Sequence, residues 1–136
     1  MDFSATMAIS AAGMRAQGDR LRVVAENLAN ANTTAETPGD LPYRRKVVIF
    51  QNLLDREAGV DTVRVTKVDV DKSNFQRKFD PSHPSADADG YVLLPNVSSV
   101  IESMDMREAQ RAYEANLSVI DSARQMMSRT VELLRS

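Results

Sequence analysis

The sequence predicts an α+β protein that is mainly α. An antiparallel, coiled-coil-like pair of long N- and C-terminal helices encloses a small β-rich middle segment. Apolar residues recur every seven positions near both ends of the chain, and the residues between them are richer in β-branched side chains, Pro and Gly. A seven-residue apolar repeat keeps one stripe facing a neighbouring helix over many turns. The 136 residues amount to about one domain.

The first helix is expected over residues 3–31, because a row of large apolar residues is accompanied by many alanines. The small alanines would also let another helix approach closely. Asn30 and Asn32 suit a left-handed C-cap, and Pro38 and Gly39 then break the helix. The row consists of Met7, Met14, Leu21 and Leu28, with Phe3, Val24 and Ala31 on the adjoining heptad position.

The middle segment predicts short strands. Residues 43–50 are β-branched and aromatic, residues 63–70 alternate valine with polar residues, and residues 91–94 form one more apolar run. The acidic stretch before that run resembles a calcium loop, but Asn96 stands where the bidentate acid is required. An Asp-Gly turn at Asp89–Gly90 is the preferred interpretation.

The last helix is expected to begin at a capping box formed by Ser99 and Glu102 and to end near Leu134. A polar Asn116 inside the apolar stripe is a residue type that commonly fixes the register of a helical seam. The chain therefore divides into residues 1–33, 34–97 and 98–136, with the first and third forming one structural unit. One heptad row is Met106, Tyr113, Ile120, Met127 and Leu134, and a second is Ala112, Val119, Met126 and Leu133.

Composition argues against several classes of function. A net charge of -2 does not provide the basic face that nucleic-acid binding needs, and a chain with 0 Cys has no disulfide or thiolate chemistry. The basic triplet Arg44, Arg45 and Lys46 is interpreted as a solvated strand edge, and the lone His83 as an exposed loop residue. We therefore expect no enzyme activity, no catalytic, cofactor-binding or metal site, no nucleic-acid or small-molecule partner, and no cofactor.

The N-terminus lacks the pattern of a cleaved signal peptide, since Asp2 is acidic and no continuous apolar region follows. No stretch approaches the ~20 apolar residues of a membrane span. The sequence therefore predicts a protein that stays in the cytosol or leaves it without a cleaved signal.

The apolar stripes predict an assembly surface. A self-contained helical hairpin, acting as a cytosolic adaptor for one partner helix, is the alternative interpretation. The residues expected at the assembly interface are Phe3, Met7, Met14, Leu21, Val24, Leu28, Met106, Tyr113, Asn116, Leu117, Ile120, Met127 and Leu134.

Several motifs resemble those of the bacterial flagellar axial proteins, which include rod and hook subunits. The first is an Asn-rich helix end followed by an aromatic-basic pair: Asn27, Leu28, Ala29, Asn30, Ala31, Asn32 and Thr33, then Tyr43 and Arg44. Two more follow in the same order as in that family, namely residues 88–97 and the segment from Tyr113 to Asn116 with Met126 and Met127 beyond it. The length is similar to that of the family's small proximal-rod member.

The resemblance implies a structural subunit of the flagellar rod, located in the periplasm. It implies export through the flagellar type III apparatus without signal cleavage, and terminal helices that pack into the wall of the torque-transmitting shaft. The implied partners are other copies of the chain, other rod subunits and the export apparatus.

Overall fold

The computed structural model describes residues 2–136 and has two long helices with four strands between them. This confirms the predicted fold class. The elements are α1 (Phe3–Ala29), β1 (Lys46–Asp55), β2 (Val60–Val70), β3 (Gln76–Phe79), β4 (Tyr91–Leu94) and α2 (Ser99–Arg135). With 27 and 37 residues, the helices are roughly 40 and 55 Å long.

Helix α1 begins at a side-chain cap and ends in a tight turn. The Asp2 carboxylate accepts a hydrogen bond from the backbone N–H of Ala5 at 3.1 Å, which satisfies one of the free donors of the first turn. The expected left-handed cap at Asn30 or Asn32 is wrong, because no non-glycine residue among residues 2–136 has a positive φ. The Asn30 amide instead donates to the Glu26 carbonyl at 2.9 Å, so the chain leaves the helix without a left-handed residue.

Strands β1 and β2 are hydrogen-bonded neighbours joined by residues 56–59. A connection this short is possible only between antiparallel strands. The Asp55 carboxylate accepts hydrogen bonds from the backbone N–H groups of Glu57 and Ala58, and Gly59 adopts a φ of 67° to complete the turn. Strand β1 starts three residues later than residues 43–50 predicted and continues to Asp55.

Strands β3 and β4 form a second antiparallel pair, in which Gln76 lies opposite Leu94 and Phe79 opposite Tyr91. The Phe79 and Tyr91 rings meet edge to face with centroids 5.4 Å apart. Strand β4 and the turn before it were predicted, and the turn is closed by Gly90 with a φ of 83°.

The expectation that His83 is an exposed loop residue is wrong. Its ring is half-buried, with Nε2 3.2 Å from the Thr34 hydroxyl oxygen. On the other side, Nδ1 accepts a hydrogen bond from the backbone N–H of Ser85 at 3.0 Å. The ring therefore links the loop before β4 to the segment that follows α1.

Helix α2 is capped differently from the predicted capping box. Ser98 rather than Ser99 precedes the helix, and its hydroxyl oxygen accepts a hydrogen bond from the Ile101 N–H at 3.5 Å. The Glu102 side chain does not reach back to the cap. It is fully buried and pairs with Arg45.

The chain forms two compact units, and both helices contribute residues to each. The first contains the chain up to Leu21 together with Val48–Lys67 and Arg107–Ser136. The second contains Arg22–Val47 and Val68–Met106. The larger apolar surfaces belong to the first unit and the buried polar contacts to the second, so each is described separately.

Candidate assembly surface

In the first unit, the buried hydrophobic residues of α1 and α2 are alanines. Ala12 and Ala16 of α1 are 5% and 2% exposed, and Ala109 and Ala123 of α2 are 0% and 1% exposed. The distance between packed helices depends on the side chains at the contact, so alanines permit a close approach. The large apolar residues of α2 are left mostly outside this contact.

The two helices approach each other closely at Gly13. A Cβ atom at this position would stand 2.8 Å from Asn116 Nδ2 and 3.0 Å from its Oδ1. Asn116 keeps its amide in place by donating to the Ala112 carbonyl at 3.0 Å. Farther along the same unit, Arg20 pairs with Glu108 at 3.4 Å. Contacts that move back along α2 as α1 advances show that the helices are antiparallel.

A wide apolar face of α2 is exposed. Leu117 is 42% exposed, and every residue from Arg124 to Ser136 is classed as exposed. Exposed apolar surface on this scale usually marks an interaction site. The large apolar residues exposed on this part of α2, with their exposed fractions, are Leu117 42%, Val119 43%, Met126 41%, Met127 39%, Val131 51%, Leu133 76% and Leu134 82%.

An apolar groove of about 400 Å³ lies between the start of α1 and the second half of α2. Phe3 and Thr6 form one wall, and the other is built mainly from small residues of α2. The α2 residues that line it are Ala115, Ser118, Val119, Ser122, Ala123 and Met126. The groove is therefore shaped to receive larger apolar side chains.

The predicted interface residues fall into three groups. Phe3, Met7, Met14, Leu21, Leu28, Met106, Asn116 and Ile120 are half-buried. Tyr113, Leu117, Met127 and Leu134 are exposed, from 36% to 82%. Val24 is only 4% exposed, so within this chain it is a core residue. The prediction omitted Leu133 and Val131, although the second heptad row already contained Leu133.

The second unit contains a buried polar network centred on Asn27, the first residue of the Asn-rich motif. Asn27 is 0% exposed. Its Oδ1 accepts hydrogen bonds from the Tyr43 hydroxyl at 2.8 Å and the Lys46 N–H at 2.9 Å. Its Nδ2 donates to the Lys46 carbonyl at 2.8 Å and to Glu102 Oε2 at 3.2 Å. All four hydrogen-bonding positions of the amide are thus used.

Glu102 connects Asn27 to the charged side chains of the network. Its side chain is 0% exposed and its second oxygen accepts a hydrogen bond from Arg45 Nε. Asp71 and Asp105 each lie 3.4 Å from the same guanidinium. Burial opposes the charge on Arg45, but the hydrogen bond and charge of Glu102, with the two aspartates, outweigh it and raise the pKa of Arg45.

Burial also raises the pKa of the Tyr43 hydroxyl, and the negative charges of Glu26 and Glu102 add to the effect. Hydrogen bonds from the backbone and side chain of Ser73 lower the pKa of Asp71, and the Arg45 charge contributes in the same direction. These shifts favour the neutral form of the Tyr43 phenol and the charged forms of the Asp71 carboxylate and the Arg45 guanidinium.

The interpretation of the basic triplet as a solvated strand edge is wrong. Arg45 is part of the buried network, and Lys46 Nζ pairs with Glu26. The Arg44 guanidinium donates to the Asp71 carbonyl at 2.9 Å and lies 4.2 Å from the centre of the Phe75 ring. Each cation is held by groups distant in sequence, which a local pattern does not reveal.

The remaining motif residues close the turn after α1. The Thr33 hydroxyl donates to Asn30 Oδ1 at 3.1 Å, and the Tyr43 N–H donates to the Thr33 carbonyl at 3.1 Å. Leu28 and Ala31 are half-buried, whereas Ala29 and Asn32 are exposed. The motif thus directs the chain from α1 towards β1.

Across residues 2–136, no group of three or more His, Cys, Asp or Glu side chains is arranged to hold a metal ion. Over the same residues, no helix combines the length and apolar character needed to cross a membrane.

Comparison with known proteins agrees with the motifs. Residues 88–133 match the family model described as "Flagellar basal body rod FlgEFG protein C-terminal". The chain is 47% identical over 133 residues to the flagellar basal-body rod protein FlgC of Agrobacterium fabrum, covering 98% of this chain and 96% of the relative. It is 37% identical to FlgC of Borreliella burgdorferi, covering 99% of each. It is 39% identical to FlgC of Salmonella typhimurium, covering 92% of each.

Proposed function

The chain belongs to the FlgC family of flagellar basal-body rod proteins, and on that premise we propose that its terminal helices form the contacts by which it assembles. It is a structural subunit of the rod. The alternative of a cytosolic helical adaptor is not favoured by these relatives. We further propose that assembly depends on the predicted interface residues, above all those exposed on α2.

The exposed apolar face of α2 carries this proposal. Seven large apolar side chains between Leu117 and Leu134 are 39–82% exposed. Removing apolar surface from water on association is favourable. Neighbouring subunits that cover it would stabilise the rod through packing alone, so torque passes between subunits without any catalytic chemistry.

We place the subunit at the proximal end of the rod, in the periplasm, after export through the flagellar type III apparatus without cleavage. Its partners there are further copies and other rod subunits. The packing of α1 supports the uncleaved form, because removal of a leader would delete Ala5 and Ala12, which are 8% and 5% exposed. Mass spectrometry of purified basal bodies should find peptides from the start of α1, and a mature form lacking them would refute uncleaved export.

The role of α2 is tested by replacing Leu117 with Asp. Leu117 is 42% exposed, so the isolated subunit should retain its helical circular dichroism. An assembled neighbour would bury the new charge without a partner, at a cost of several kcal/mol. Cells carrying only this variant should not swim, and their basal bodies should lack a complete rod.

Gln125→Asp is the matched control. Gln125 is also exposed on α2, but its neighbours three and four positions away are polar or charged. This variant should swim normally. If Leu117→Asp cells also assemble complete rods, this face of α2 is not an interface.

A further inference from the structure

The end of α2 carries the two most exposed large apolar side chains among residues 2–136, Leu133 at 76% and Leu134 at 82%. Such exposure is unfavourable in water, since transfer of a leucine side chain to an apolar environment is favourable. Both residues belong to the same unit as the groove lined by Phe3, Val119 and Ser122. The first unit therefore contains both strongly exposed leucine side chains and an open apolar groove.

A subunit cannot fill its own groove with these leucines. Leu133 and Ser122 lie on the same continuous helix, which ends at Arg135. Eleven residues at 1.5 Å each hold them roughly 16 Å apart along the helix axis. If these leucines fill such a groove, it is the groove of another molecule.

We propose that the Leu133–Leu134 end of α2 in one copy of this chain occupies the groove of the next copy. The inference rests on the proposed role as a rod subunit and specifies one of its contacts. Leu133 fits because the α2 side of the groove consists mostly of alanine and serine, so a large side chain meets small ones. The contact also continues the α1–α2 seam, since Ala123 belongs both to that seam and to the groove.

The arrangement is sequential rather than reciprocal. Ser122, Met126, Arg129 and Leu133 share one face of α2, because they follow the spacing of helical turns. If two copies exchanged their ends about a twofold axis, the two Arg129 side chains would meet in the middle of an apolar contact. Unpaired charges of like sign are unfavourable there. In a sequential arrangement with parallel α2 helices, the shift of eleven residues that sets Leu133 beside Ser122 also sets Arg129 beside Ser118 of the neighbour, whose hydroxyl can accept a hydrogen bond from the guanidinium. Such heterologous contacts generate open helical arrays.

The cysteine-free chain permits a direct test by disulfide trapping, because Cα atoms must lie within about 7 Å to be bridged. Ser122→Cys and Leu133→Cys are introduced together into the full chain, in cells that depend on it for motility, and basal bodies are analysed after mild oxidation. We expect a ladder of dimers and larger multimers of this chain. Each single variant should give none, as should Leu133→Cys with Glu114→Cys, since Glu114 is exposed on α2 and does not line the groove.

A doubly bridged dimer without larger species would show the reciprocal arrangement and overturn the proposal. Bridging to a different rod protein, or no bridging in cells that swim, would also overturn it. In the last case the rod function would stand, because swimming requires an assembled rod.

A second variant tests the same contact without cysteines, because Leu133→Cys itself removes part of the apolar side chain. Leu133→Ser should abolish swimming while leaving the circular dichroism of the purified subunit unchanged. Glu132→Ser, at an exposed charged neighbour, should do neither. Normal swimming of the Leu133→Ser strain would refute the proposed contact.

Discussion

Replacing Asn27 with Ala should remove the centre of the buried polar network. The variant loses hydrogen bonds from the Tyr43 hydroxyl and the Lys46 N–H, and hydrogen bonds to the Lys46 carbonyl and Glu102. Glu102 suffers most, because its carboxylate is 0% exposed and water cannot easily replace the lost donor. The remaining groups belong to half-buried residues, which water can reach in part.

The magnitude follows from these contacts. A hydrogen bond between neutral groups contributes about 1 kcal/mol, one to a charged group about 1.5–3 kcal/mol, and an unsatisfied buried group costs more. Allowing for water at the exposed side, we expect Asn27→Ala to lower the free energy of unfolding by about 3–5 kcal/mol. This is a large part of the 5–15 kcal/mol that stabilises a typical protein.

Urea unfolding of the purified subunit, followed by circular dichroism, measures the change. Asn32→Ala is the matched control from the same motif: Asn32 is exposed and its side chain makes no hydrogen bond within residues 2–136. The control should stay within about 0.5 kcal/mol of the unmodified chain. A loss below about 1 kcal/mol for Asn27→Ala would mean that the network does not stabilise the fold as described.

The remaining predictions concern the two glycines of α1 and the half-buried Tyr43 hydroxyl. Gly18→Ala should stabilise the subunit by about 0.5–1 kcal/mol, because nothing lies within 4 Å of its new methyl group and alanine favours helix. Gly13→Ala should instead destabilise it by about 1 kcal/mol, because the Asn116 amide is displaced, and an increase in its thermal midpoint would contradict this packing. The pKa of Tyr43 is raised in the folded state, so the neutral hydroxyl stabilises the fold. This contribution to the free energy of unfolding is complete below the pKa of the unfolded state, about 10, and is lost as the pH rises through the pKa of the folded state. Urea midpoints should therefore fall above about pH 10 by less in Tyr43→Phe than in the unmodified chain, and an equal fall would exclude this role.

The fold class was predictable because a heptad repeat is a local and redundant signal. Asn116 occupies one position of the apolar stripe, but the repeat remains visible because α2 has 37 residues, or about ten turns. Strand β3 escaped prediction because Gln76–Phe79 is exposed throughout and shows no alternation. That strand is held mainly by backbone pairing to β4, which depends on residues about fifteen positions later.

The exposed surface of α2 and the buried polar network also differ in how far the sequence predicts them. Exposed apolar positions on α2 could be predicted, because they follow the helical period. The roles of Arg45 and Glu102 could not, because neither residue has a local signature of its partner. Glu102 even fits a local motif, the capping box, yet its charge is used by a residue 57 positions away. Asn27 was recognised through a resemblance, and its hydrogen bonds became visible only in three dimensions.

The long sequence separation within the network also has a kinetic consequence. Asn27 and Glu102 are 75 positions apart, and Arg45 and Glu102 are 57 positions apart. Contacts between distant residues form slowly, because the loop must close before the contact stabilises it. In a chain delivered from its N-terminus, α1 emerges long before Glu102. The second unit can therefore complete its fold only when three quarters of the chain has emerged.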